Sequence, residues 1–175
     1  MSGEQEQSMR VLSYPAPFLR RQVKPVQEIT PELVEIVRGM FQTMYSARGV
    51  GLAASQVGLD MSLFVLNVTG EPDDEHVFIN PEIVELRGDT LELEGCLSLP
   101  GLEAKVRRSA YVRIRAQDLQ GEFFEMEGED FLARALQHET DHLNGTLFID
   151  KIGPASRIAL KSRLTEMEER QTRQT

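Results

Sequence analysis

His138, Glu139 and His142 stand in the stretch Gln137-His138-Glu139-Thr140-Asp141-His142, and their spacing allows metal-assisted hydrolysis. Read as a helix over residues 131–143, the stretch places the two histidines one turn apart, so both imidazoles leave one face and can meet a single ion. Glu139 lies beside that face, where a carboxylate suits a base that takes a proton from water. Two imidazoles do not complete a catalytic divalent site. The pattern therefore calls for a third His, Asp, Glu or Cys brought from elsewhere.

The helix that must carry these groups is patterned for burial. Phe131, Ala135, His138 and His142 share one stripe, and Leu132, Leu136, Glu139 and Leu143 share the next. Asp130, Arg134, Gln137 and Asp141 fall on a polar side. Asn144-Gly145 ends the helix, since glycine accepts the left-handed cap. Near the start, residues 1–8 are polar and expected to be disordered, and Val11 to Leu19 is interrupted by prolines and expected to run extended over the core. Thr30 and Pro31 open a helix of about 15 residues, with Leu33, Val37, Met40, Phe41 and Met44 at helical spacing.

Residues 49–58, GVGLAASQVG, are dense in small side chains, which mark tight turns or a backbone that another group approaches closely. Strands are predicted at 62–68, 77–81, 83–86, 90–94, 106–116 and 122–127, with a turn at Asp118–Gly121. His76 reads as a solvated residue at a loop edge. A last helix spans Pro154 to Arg170, with Ile158, Leu160, Leu164 and Met167 apolar and Arg157, Lys161 and Arg163 basic. Strands in the middle and helices toward the ends predict an α+β class with mostly antiparallel sheet around the His-bearing helix.

At 175 residues, 41% hydrophobic and 27% charged, the chain fits one globular domain, and nothing in its length requires two. A net charge of −9 disfavours a general nucleic-acid groove, DNA included. There is no apolar run of membrane-spanning length and no hydrophobic signal core, so a cytoplasmic protein is expected. A single cysteine, Cys96, precludes an internal disulfide and fits a reducing compartment.

Three stretches in order, GVGLAASQ at 49–56, EGCLS at 94–98 and QHETDHLNG at 137–145, resemble the signature motifs of the peptide deformylase family. The YPAPFLR opening and the gap lengths agree as well. The resemblance implies that Cys96, His138 and His142 hold one divalent metal ion. Fe²⁺ is the expected ion, with Ni²⁺, Co²⁺ or Zn²⁺ able to substitute, because the ligand set does not itself choose. It further implies hydrolysis of the N-formyl group from the initiating methionine of a new polypeptide in a bacterial cytoplasm. Glu139 would be the base, and the Gln56 side-chain amide and the Leu97 backbone N–H would be oxyanion donors.

By the same resemblance, Val50 and Gly51 present backbone to an extended N-formylmethionyl peptide. Phe131, Leu132, Arg134 and Ala135 are expected to form the methionine pocket, and Glu94 to pair with Arg108 in support. Glu103 stands where some relatives carry an arginine, which bears on preference for charge farther along the peptide. A monomer is expected, and the C-terminal helix is a candidate contact with the ribosome. Two alternatives remain open: a HExxH endopeptidase, and a metal-binding, translation-associated protein without catalysis. The first lacks a downstream third ligand, and the second has no need of Glu139 or Gln56.

Overall fold

The computed structural model describes residues 9–175; the start for which disorder is expected lies outside the described residues. Helix α1, Pro31–Ser46, begins as its sequence predicts, with Thr30 Oγ1 accepting from the Leu33 N–H at 3.2 Å. Its Leu33, Val37, Met40 and Met44 bury against β1 (Gly51–Ala53) and β2 (Leu63–Leu66), both fully inside. Between them Arg48 takes a left-handed conformation, φ 59°, which turns the chain from the helix into Gly49.

Strand β3, His76–Arg87, replaces the two short strands expected around Pro81. Register shifts between Ile79 and Glu82 and between Ile83 and Glu85 absorb the proline, and Asn80 adopts φ 51° there. Strands β4 (Thr90–Gly95) and β5 (Glu103–Arg108) form a separate two-stranded sheet. The strand expected over 106–116 is divided, because β6 is Tyr111–Gln117 and joins β3 instead. The break is held at Ser109, whose N–H and carbonyl are bonded by the Gln137 side chain at 3.0 and 2.9 Å in place of a ladder partner.

Strand β7, Phe123–Glu129, completes an antiparallel sheet ordered β1-β2-β3-β6-β7. Helix α2, Asp130–Leu143, lies across that sheet, packing Ala133, Leu136 and Leu143 on Phe64, Phe78, Val112 and Ile114. Burial of a side chain such as Leu136 contributes on the order of 1.5–3 kcal/mol, so this face fixes the helix against the sheet. Gly145 then turns at φ 73°, and its missing side chain lets the Arg20 carbonyl approach.

A third cluster joins Leu19, Leu99, Leu102, Val106, Leu147, Phe148 and Ile149. Leu19 reaches it through a 3-10 turn over Pro17–Arg20, a departure from the extended run expected there, which begins on a proline whose missing N–H costs the turn nothing. Helix α3, Pro154–Thr172, covers this cluster with Leu160, Leu164 and Met167 while leaving Ile158 76% exposed. No helix among the described residues is long and apolar enough to cross a membrane.

Candidate active site

One face of helix α2 looks across a cleft of about 710 Å³ toward β4, the loop after it and β1, the edge strand of the large sheet. Phe131, Arg134, Ala135, His138 and Glu139 line the helix side, and Val50, Gly51, Gln56, Leu93, Cys96 and Leu97 line the rest. Leu132, expected in the methionine pocket, is elsewhere. It points back to the sheet beside Gly128 and packs with the Phe64 and Phe78 core, one helical step away from the stripe of Phe131 and Ala135.

At the cleft floor the ligand atoms of Cys96, His138 and His142 all lie within 4.8 Å of one another. His142 Nε2 is 3.1 Å from His138 Nε2 and 3.3 Å from Cys96 Sγ. His138 Nδ1 meets Glu94 Oε2 at 3.2 Å, which assigns its proton to that nitrogen and directs the Nε2 lone pair at the cluster. Lone pairs then face one another, an arrangement that a cation between them satisfies. Without an ion the cluster holds a proton instead: burial opposes a charge on His138, yet the hydrogen bonds of Cys96 and Glu94 outweigh it and hold the imidazole well above its ordinary pKa, so the site favours positive charge and an incoming ion must displace that proton. Burial pushes His142 well below, toward the neutral form that ligates. The donor set of one thiol and two imidazoles fits a single divalent ion. His76, by contrast, lies at the start of β3 and bonds Asp74 at 3.0 Å, away from this cluster.

The support beneath His138 is ionic. Arg108, only 4% exposed, grips Glu94 with two bonds of 3.1 and 2.8 Å and reaches Asp141 at 2.5 Å. Lys151 adds a second cation to Asp141 at 2.9 Å. Burial raises the Glu94 pKa, but the bonds of His138 and Arg108 reverse this and bring the carboxyl down to about 2. Sequence reasoning paired Glu94 with Arg108 and missed Asp141, although its position three residues after His138 places it near the same end of the helix.

Glu139 is buried, and desolvation pushes its carboxyl up to about 7. Its Oε2 has no partner among the described residues, and a side chain at Gly51 would meet Oε1 at 2.6 Å. A proton acceptor is thus held at the cleft wall, poised near neutral pH. Gln56 approaches from the opposite side: its Oε1 accepts from the Ala53 N–H at 3.0 Å, and its Nε2 reaches Ser98 Oγ at 3.1 Å and Cys96 Sγ at 3.6 Å. Leu97 follows Cys96 on the same wall. Leu93 was not anticipated in the cleft; the alternation of residues 90–94, which puts Leu91 and Leu93 on one exposed face, is the signal that carries it.

Antiparallel sheet around a helix that carries two imidazoles, a third soft ligand and a buried carboxylate define the class of metal-dependent hydrolases. The chain matches the Polypeptide deformylase family over residues 8–157. It is 46% identical over 160 residues to a peptide deformylase of Acidobacterium capsulatum, covering 90% of this chain and 94% of that one. The crystal structure of a peptide deformylase from Legionella pneumophila superposes with a TM-score of 0.87 at 41% identity, over 94% of this chain and 98% of its own. That from Synechococcus elongatus in complex with actinonin gives 0.85 at 38% identity, over 89% and 87%. This chain belongs to the peptide deformylase family.

Proposed function

We propose that this chain cleaves the N-formyl group from the amino-terminal methionine of newly made polypeptides, releasing formate and a free amine. The observation that carries the chemistry is the buried Glu139 carboxylate, its Oε2 without a hydrogen-bond partner among the described residues, beside the Cys96–His138–His142 cluster. Those three residues would hold the metal, Fe²⁺ in first place, with Ni²⁺, Co²⁺ or Zn²⁺ able to replace it. Such an ion supplies Lewis-acid polarisation and makes water a nucleophile near neutral pH.

The residues around it divide the remaining work. Glu139 removes a proton from the attacking water as the new carbon–oxygen bond forms at the formyl carbon, and passes it to nitrogen as the carbon–nitrogen bond breaks. The Gln56 Nε2–H and the Leu97 N–H donate to the formyl oxygen as it gains charge. Val50 and Gly51 offer backbone to the peptide, and the methionine side chain sits against Phe131, Ala135 and the stem of Arg134. Glu94 and Arg108 keep His138 oriented.

The chain is read as one catalytic domain, monomeric and cytoplasmic, with residues 154–175 as its C-terminal helix and tail. The basic side chains of α3 suit rRNA, and equal ribosome cosedimentation with and without residues 155–175 would discard that contact. Formate release from formyl-Met-Ala-Ser by anaerobically purified protein loaded with Fe²⁺ or Ni²⁺, beside Cys96→Ala, tests the reaction. Release by the native protein alone, suppressed by actinonin, is the expected result. No release with one metal per chain sinks the reading.

A further inference from the structure

Gln56 can donate to substrate only if its amide is held in one orientation, and the structure contains a device for this in Ser98, a residue without a role so far. The Ala53 N–H requires an acceptor, so Oε1 of Gln56 faces it at 3.0 Å and Nε2 must face the other way. There the hydroxyl of Ser98, fully buried, accepts one Nε2 hydrogen at 3.1 Å. The second hydrogen is left toward Cys96 Sγ, at a long 3.6 Å, and so toward the reacting centre. Two bonds of good length fix the amide plane, and the weak third direction is the one free for substrate.

The spacing between Gln56 and Ser98, which come from separate parts of the chain, is itself braced. The Leu12 N–H donates to the Gln56 carbonyl at 2.7 Å, and the Tyr14 N–H donates to the Ser98 carbonyl at 2.8 Å. One short segment therefore ties both backbones. We propose that Ser98 is a positioning residue for the reaction: its hydroxyl, held opposite Gln56 by the Leu12–Tyr14 brace, aims the remaining amide hydrogen at the oxygen that becomes negative. This rests on the deformylase reading of the same site.

The test is a double-mutant cycle on formyl-Met-Ala-Ser with metal-loaded Ser98→Ala, Gln56→Ala and the double variant, each with metal content and Tm measured. Loss of one oxyanion donor costs about 10²–10³ in kcat, and loss of its aim costs less, so Ser98→Ala should lower kcat about tenfold with KM within about twofold. In the Gln56→Ala background the same change should alter kcat by less than about twofold, because there is no amide left to aim. An equal loss in both backgrounds, a loss carried by KM, or a loss that follows metal content or Tm would give Ser98 a different role and overturn the proposal. An inactive, metal-loaded native protein would instead refute the deformylase reading itself.

Discussion

Replacing Gly51 by alanine would place a carbon 2.6 Å from Glu139 Oε1, 2.9 Å from its Cδ and 3.0 Å from its Cγ. Contacts between uncharged heavy atoms settle at about 3.5 Å, so the carboxylate or strand β1 must give by roughly 0.5–0.9 Å. Neither is free to do so: Gly51 begins a fully buried strand paired with Leu66, and Glu139 is enclosed on a helix packed against the sheet. Overpacking of this kind costs about 1–3 kcal/mol, which lowers Tm by roughly 3–10 °C in a chain of this size. Displacement of a base by close to 1 Å costs on the order of 10² in rate. Formate release, metal content and thermal unfolding should therefore show a protein that keeps its ion, melts a few degrees lower and turns over about a hundredfold more slowly. Glu139→Ala removes the colliding atoms, so Gly51→Ala on that background should cost little stability. Activity within about threefold of the native protein, or equal destabilisation in both backgrounds, would refute the collision and the placement of the base derived from it.

Arg108→Met leaves the half-buried Glu94 and Asp141 without their shared cation, Asp141 keeping only Lys151, and should cost about 3 kcal/mol in urea unfolding, with metal affinity reduced about 10–100-fold; a loss below about 1 kcal/mol counts against the clamp. Glu94 titrates at 4.5 when unperturbed and at about 2 in the fold, so the unfolded chain binds the proton first. Its contribution, about 3 kcal/mol at most, is complete above roughly pH 4.5 and disappears as pH falls through about 2. Denaturant midpoints across that interval should fall less steeply for Glu94→Gln, and parallel slopes would remove Glu94 as the source. Leu132→Ala should destabilise by about 2–4 kcal/mol without changing KM, whereas Ala135→Phe should raise KM for formylmethionyl substrates about tenfold; the opposite assignment would put the methionine pocket on the other helical stripe.

The helices were legible because their signals are local. Thr30-Pro31 and the spacing from Leu33 to Met44 specify α1, and the two apolar stripes around His138 specify α2. Strand partners were not legible, since alternation reports that a strand has an inner face without saying what lies along its edge. Val106 and Val112 alternate in step, yet the first belongs to β5 and the second to β6, and the Gln137 amide that separates them comes from a distant helix. Leu132 was misassigned for a related reason. Two adjacent apolar stripes look alike in sequence, and only the position of the sheet decides which one meets the cleft. Asp141 and Ser98 act through partners far away in the chain, Arg108 and Gln56, so neither could be given a role from its neighbours.

The brace at Leu12 and Tyr14 bears on how the molecule comes into being. Its backbone bonds reach Gln56 and Ser98, and the Tyr14 hydroxyl bonds Glu168 of α3 at 2.5 Å. A chain made from its amino end therefore presents Cys96 long before either imidazole, and it cannot seal the early segment until the last helix has arrived. The three ligand side chains coexist only once His142 has been made, and a product truncated before it would hold the Cys96 thiol without the two imidazoles that share its site.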